Sequence, residues 1–279
     1  MTHGEPIGKY HADHTCLGSS QLRDYLTCPR LFWTRHCTTA EPYKSSPAMD
    51  KGTLVHSMLE SLDPAGWFSR CEIIPDGHIT ASGALSTKAD TKAWLADRDQ
   101  EKTWLTPEDD AFLSAVLAEF SLNTAAKSLL ESVSRTEVSV RWTRDSGDAL
   151  RCRPDALTED GQVIDWKTTR YERPVEQWHK SCADFLYHVS DALYSEGTEL
   201  AGLKDADLPL VYVLISTSAR PTVQCVRMPP PLRSLGKQLL EKALQEIAVR
   251  KSFGGWEPAH YGSIVDLPVP AWVLRSEKE

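Results

Sequence analysis

Three runs decide the fold: Thr136-Glu137-Val138-Ser139-Val140-Arg141-Trp142, Leu150-Arg151-Cys152-Arg153-Pro154-Asp155-Ala156-Leu157, and Gln162-Val163-Ile164-Asp165-Trp166-Lys167-Thr168-Thr169-Arg170. Each is short and rich in β-branched or aromatic residues. The intervals 144–149 and 159–161 carry the Asp and Gly that hairpin turns require, so three strands are predicted. Alternation with period two puts Asp165 and Lys167 on one face of the third strand and Ile164 and Trp166 on the other. Antiparallel pairing with the strand that carries Asp155 would gather two carboxylates and an ammonium on one patch of sheet. Like charges at that spacing repel strongly in a partly buried site, and a divalent cation is the usual remedy.

Upstream, the row Gly52-x-x-x-His56-x-x-x-Glu60 lies on one face of a helix whose apolar stripe is Leu54, Val55, Met58, Leu59 and Leu62, with Asp50 as its cap. A glycine one turn before the histidine admits close approach of another backbone. Thr106-Pro107-Glu108-Asp109 reads as a capped helix start with acids in the first turn. Helices are also expected over 87–97 and 125–133. Beyond the central strands, a helical region from Pro174 to about Ser195 turns Phe185, Val189, Ala192 and Leu193 inward and Tyr187, Asp191 and Tyr194 to other sides. Leu210–Ser216 and Thr222–Met228 read as strands, the first nearly all apolar and therefore internal. A basic amphipathic helix follows over 232–249.

Composition narrows the function classes. With 279 residues and 41% hydrophobic content the chain can bury a substantial core. Its net charge of −8 argues against coating nucleic acid by bulk attraction, yet between Arg220 and Lys251 seven Lys or Arg stand against two Glu. Acidic clusters beside local basic patches suit an enzyme that grips a polyanion and cuts it. The seven cysteines show no C-x-x-C pair, which points to reduced thiols. With no apolar leader or membrane-length run, the expectation is a soluble cytoplasmic protein without membrane association. Residues 1–17 are polar and read as a flexible tail. No repeat or linker divides 18–279, which is expected to form one domain.

Taken together, the chain resembles the PD-(D/E)XK nuclease superfamily, and within it the RecE-like (exonuclease VIII-type) phage and prophage exonucleases, related to the nuclease domain of RecB. The likeness is carried by Ser19-Ser20-Gln21-Leu22, Gly52-Thr53-Leu54-Val55-His56 with Leu59-Glu60, Trp104-Leu105-Thr106-Pro107-Glu108, Glu137 to Trp142, Arg153-Pro154-Asp155, Ile164 to Thr169, Tyr187-His188-Val189 and Pro270-Ala271-Trp272. It implies an α/β restriction-endonuclease-like core of order αβββαβ, a central mixed sheet flanked by helices, with helical additions at the N-terminus and mid-chain. It also implies metal ligation by His56, Asp155, Asp165 and the Trp166 carbonyl, with Lys167 positioning or deprotonating the attacking water. Glu137 would act on the metal through water or brace the strands. Tyr187, Ser190, Tyr194 and Arg153 would contact substrate, although Ser190 stands where the family usually has Gln and Trp166 where an aliphatic residue is usual. The oxygen-rich donor set fits Mg²⁺ or Mn²⁺.

The activity implied is metal-dependent hydrolysis of duplex DNA from its ends, 5′ to 3′, leaving 3′ tails for a RecT-like single-strand annealing protein. A homo-oligomeric ring is implied too, with the helix over 232–249 as a candidate channel surface. The alternatives are a structure-selective endonuclease, or a non-catalytic scaffold that binds DNA or an annealing protein.

Overall fold

A computed structural model describes residues 5–38, 47–99, 101–205, 208–266 and 269. The Pro270-Ala271-Trp272 stretch lies outside them, as does the side chain of Asp50. Helices α1 (Ile7–Ala12), α2 (Ser19–Thr27), α3 (Pro29–His36), α4 (Pro47–Leu59) and α5 (Pro64–Trp67) come first. A small parallel pair, β1 (Cys71–Ile73) and β2 (Thr103–Leu105), flanks α6 (Ala89–Asp97) and is followed by α7 (Pro107–Leu122) and α8 (Thr124–Glu131). Then come β3 (Val133–Thr136), β4 (Val140–Thr143), β5 (Ala149–Cys152), β6 (Ala156–Thr158) and β7 (Val163–Thr169). The chain continues through α9 (Pro174–Asp184), α10 (Tyr187–Leu200), β8 (Val211–Ser216), β9 (Val223–Arg227) and α11 (Pro230–Phe253).

The expected mixed α/β architecture is present. The main sheet has the order β3-β6-β7-β8-β9; its one parallel pair, β7 and β8, is joined by the crossover through α9 and α10. Alternation along β7 and β8 sorts the core into two layers. Ile164, Trp166, Val211, Val213 and Ile215 pack with α4 and α7, whereas Val163, Tyr212 and Leu214 pack with α2, α9, α10 and α11. All six residues of β8 are buried, as its apolar run predicts. Trp166 fills its layer edge-on to Phe120. Helix α11 crosses α10 so closely that a Cβ on Gly236 would lie 1.9 Å from the His188 carbonyl oxygen, and only glycine fits there.

Several expectations are corrected. The three predicted strands are five, because two of them break. Glu137 has a left-handed φ of 53° and ends β3. Pro154, with no N–H to pair, separates β5 from β6. β4 and β5 consequently leave the main sheet as a two-stranded hairpin. Helix α4 stops at Leu59, and Leu62 is exposed at a φ of 61° rather than completing the apolar stripe. The helical region from Pro174 is two helices, since Leu186 has a φ of 51°; this turns Phe185 outward, while Asp191 is buried.

Residues 5–17, expected as a tail, are folded against the hairpin. Tyr10 is buried beneath three guanidinium groups, those of Arg151, Arg141 and Arg153, at 4.5, 5.7 and 5.6 Å from its ring centre. Arg141 reaches both oxygens of Glu5 at 2.9–3.0 Å and Asp13 at 2.9 Å. The polar character that reads as a tail is complementary charge for this arginine face.

Candidate active site

The break at Pro154 builds the site. Ala156 pairs with Ile164, so Trp166 is the next residue of β7 whose backbone groups face β6. β6 supplies no partner there. Instead the Trp166 N–H donates to Asp155 Oδ2 at 2.7 Å, and its carbonyl oxygen lies 3.1 Å from His56 Nε2. Lys167 Nζ is 2.5 Å from Asp165 Oδ1 and 3.4 Å from the same carbonyl. His56 Nδ1 is 3.2 Å from Glu60 Oε1 and 3.9 Å from Asp155 Oδ1. Gly52 is buried against β7, where a Cβ would meet Thr168 Oγ1 at 3.1 Å. That contact is the close approach the glycine one turn before His56 predicts.

Electrostatics follow from burial and proximity. Burial pushes the Asp155 carboxyl well above its ordinary range; His56 opposes this and Asp165 adds to it. Burial pulls the His56 imidazole down, but the Asp155 charge and the Glu60 hydrogen bond outweigh it and leave it at about 9. Lys167 is likewise drawn down by burial and more strongly up by Asp165 and Asp155. It remains an ammonium.

Asp155 and His56 open onto a cleft of about 830 Å³ lined also by Glu60, Glu137, Arg153, Thr168 and Tyr194, with Glu5, Tyr10 and His11 of the folded N-terminal segment as one wall; Asp165 and Lys167 lie behind them on β7. Burial raises Glu137 to about 7, helped by the neighbouring Glu60 and opposed by Arg153. Its carboxylate pairs with Arg153, and its N–H donates to the Asp155 carbonyl at 3.1 Å. Tyr194 lines the cleft, and Tyr187 lays its ring 5.3 Å from Lys167 Nζ.

Two predicted substrate contacts have other partners. Ser190 is buried, its hydroxyl 2.9 Å from that of Ser19, because α10 turns this face toward α2. Arg153 is buried too. Its guanidinium is engaged by Glu137, the Glu5 carbonyl and Ser139 as well as by the Tyr10 ring. On α11, Arg233 faces Asp191 at 3.6 Å and Arg250 donates to the Tyr25 hydroxyl at 2.9 Å, so part of its basic character is satisfied internally. The N-terminal wall was not legible as part of the site; the spacing of Glu5, Tyr10 and His11 carries no helical or strand period to reveal it.

Among the described residues no three His, Cys, Asp or Glu side chains are grouped closely enough to hold a metal ion by themselves. The donors nonetheless fit a hard divalent cation. Asp155 is a buried acid whose charge the nearby Asp165 makes costlier, and a backbone carbonyl and an imidazole stand beside it. The seven cysteines, all free, play no part in this cluster.

Residues 17–260 match the family described as the PD-(D/E)XK nuclease superfamily. A solved structure described as a candidate exonuclease from Eubacterium rectale covers 98% of this chain and 98% of its own, with a TM-score of 0.61 at 11% identity; it shares the fold. The structure of SSO0001 covers 48% of this chain and 59% of its own, with a TM-score of 0.28 at 17% identity. No curated protein matches the chain. Among the described residues no helix is long and apolar enough to cross a membrane. With a family match across most of its length and the acids and lysine of that family's motif brought together around Trp166 of β7, the chain belongs to the PD-(D/E)XK nuclease superfamily.

Proposed function

We propose that this nuclease is a Mg²⁺-dependent exonuclease acting on DNA ends. The observation that carries the reading is the convergence of Asp155, Asp165, Lys167, His56 and the Trp166 carbonyl on β7 just past the end of its pairing with β6. Asp155, Asp165, His56 and the carbonyl would hold the cation. When bound, it supplies water activation and neutralises charge that grows on the phosphate.

The protein's own groups do the rest. Lys167, kept charged by Asp165 and Asp155, donates a hydrogen bond to a water or a non-bridging phosphate oxygen. Glu60 fixes the imidazole of His56 through Nδ1, which leaves Nε2 directed at the Trp166 carbonyl. Tyr194 lines the cleft from the side of α10, and Tyr187 lies beside Lys167. Glu137 braces β3 against Asp155 through its N–H and holds Arg153 through its carboxylate.

The finer reading is 5′-to-3′ degradation of one strand of a duplex, leaving 3′ tails for a single-strand annealing protein, by a homo-oligomeric ring. It is supported by the resemblance to RecE-like exonucleases in the motifs around Gly52, Asp155 and Asp165. The test uses linear duplex labelled at either end alongside a covalently closed circle, with and without Mg²⁺. Release of label from one end only, with the circle intact, supports the exonuclease. Linearisation of the circle supports the endonuclease, and loss of all cleavage in wild-type protein leaves only the scaffold reading.

A further inference from the structure

A second cavity, of about 250 Å³, lies against the end of β7 and is lined by Thr168, Arg170, Tyr171, Trp178, Phe185 and Tyr187 among others. Thr168 borders both this cavity and the catalytic cleft. The two are neighbours across a single residue of β7, immediately after Lys167.

Its wall is a row of rings. Tyr187 stacks on Trp178 with centres 5.7 Å apart and planes 21° from parallel, and Phe185 sits 5.6 Å from Tyr187 at 32°. Tyr187 is the middle ring, with the Lys167 ammonium 5.3 Å from its centre. At one end of the row Phe185 is 54% exposed. A lone exposed phenylalanine needs no explanation. This one follows on from packed rings and is held outward by the left-handed Leu186 beside it, a conformation unfavourable for a non-glycine residue. Arg23 donates to the Phe185 carbonyl at 3.4 Å, and the exposed Arg170 lies beside Tyr171 with its guanidinium 5.6 Å from that ring. Asp184 also lines the cavity, so flat apolar surface, more than net charge, distinguishes it.

A ligand matched to this wall has a planar ring to stack and a phosphate within reach of Lys167. We infer that the Phe185–Tyr187 corner stacks an unpaired nucleobase of the strand whose phosphate lies at Lys167. A paired base inside a duplex has both faces covered by its neighbours, so the corner accepts a strand already separated from its complement next to the scissile bond. The inference rests on the nuclease reading for the position of the phosphate, and it adds a substrate class to it.

The experiment reads stacking apart from cleavage. Single-stranded oligonucleotides carrying one 2-aminopurine, placed in turn at each of the terminal positions, are bound with Ca²⁺ in place of Mg²⁺. Wild-type protein should quench the fluorescence at one position. Phe185→Ala should lose that quench and bind about tenfold more weakly, and Phe185→Trp should restore both. Removing the base at that position should weaken wild type about tenfold and Phe185→Ala hardly at all. Equal quenching by wild type and Phe185→Ala, or none at any position, overturns the inference. Linear duplex DNA given to the same protein with Mg²⁺ then tests the nuclease separately: duplex cleavage without position-specific quenching sinks the stacking site alone, and quenching without duplex cleavage sinks the nuclease reading while supporting the stacking contact.

Discussion

The Trp166 N–H donates to the carboxylate of Asp155, where a regular antiparallel strand would have offered a backbone carbonyl. One side chain thus closes the ladder that Pro154 opens, and the carbonyl of Trp166 is left facing His56 and Lys167.

Asp155→Asn keeps an acceptor for that N–H but removes one of two buried, mutually repelling acids. The expected result is a fall in Mg²⁺-dependent DNA cleavage of roughly 10²–10³-fold, as for loss of one electrostatic stabiliser. The melting temperature in EDTA should be unchanged or raised, since a neutral amide escapes the cost of burying charge. A variant that cleaves like wild type would remove Asp155 from the chemistry.

Glu60 touches His56 and not the Trp166 carbonyl, so its effect should appear in metal affinity. Glu60→Ala is expected to weaken Mn²⁺ binding about 10- to 100-fold, measured by calorimetry on metal-free protein. Unaltered affinity would show that α4 and Asp155 suffice to orient the imidazole.

Asp191 gives a pH signature away from the cleft. Burial, countered by the Tyr212 hydroxyl that donates to it at 3.1 Å and by Arg233, raises it to about 6. The folded state therefore holds this proton more tightly than the unfolded chain. Its ionisation lowers stability as pH rises from about 4 through 6, by roughly 3 kcal/mol in all. Asp191→Asn should flatten this part of the urea-midpoint profile, being more stable than wild type at pH 7.5 and equal to it near pH 4. The same slope in both proteins would place the titration elsewhere.

The docked N-terminal segment predicts a cost where a tail predicts none. Tyr10→Ala removes a buried ring and its three guanidinium contacts, and should lower unfolding free energy by about 3 kcal/mol in urea titration. A change below about 0.5 kcal/mol, ordinary for an exposed residue, would mean that the segment does not pack.

Local pattern carried much of this structure. The alternation of Ile164, Asp165, Trp166 and Lys167 assigns two faces to β7, and the structure places Trp166 in one core layer and the Lys167–Asp165 pair outside it. Gly52 and His56, one turn apart, both meet β7. The capping box at Thr106 and Asp109 forms as its spacing requires. In each case the determinant lies within a turn or a strand pair.

What local pattern could not carry depends on partners distant in the chain. Glu5 and Tyr10 look like solvent-facing residues until Arg141 and Arg153, more than a hundred positions away, are brought beneath them. Ser190 and Asp191 appear free to face substrate or solvent until α2, β8 and α11 cover them. Phe185 has the composition of a core residue, and only the left-handed turn at Leu186 puts it outside. Alternation, capping and strand breaks act through neighbouring backbone and can be read along the chain; which faces are covered and which charges are neutralised follow from burial and ion pairing between segments that no local period relates.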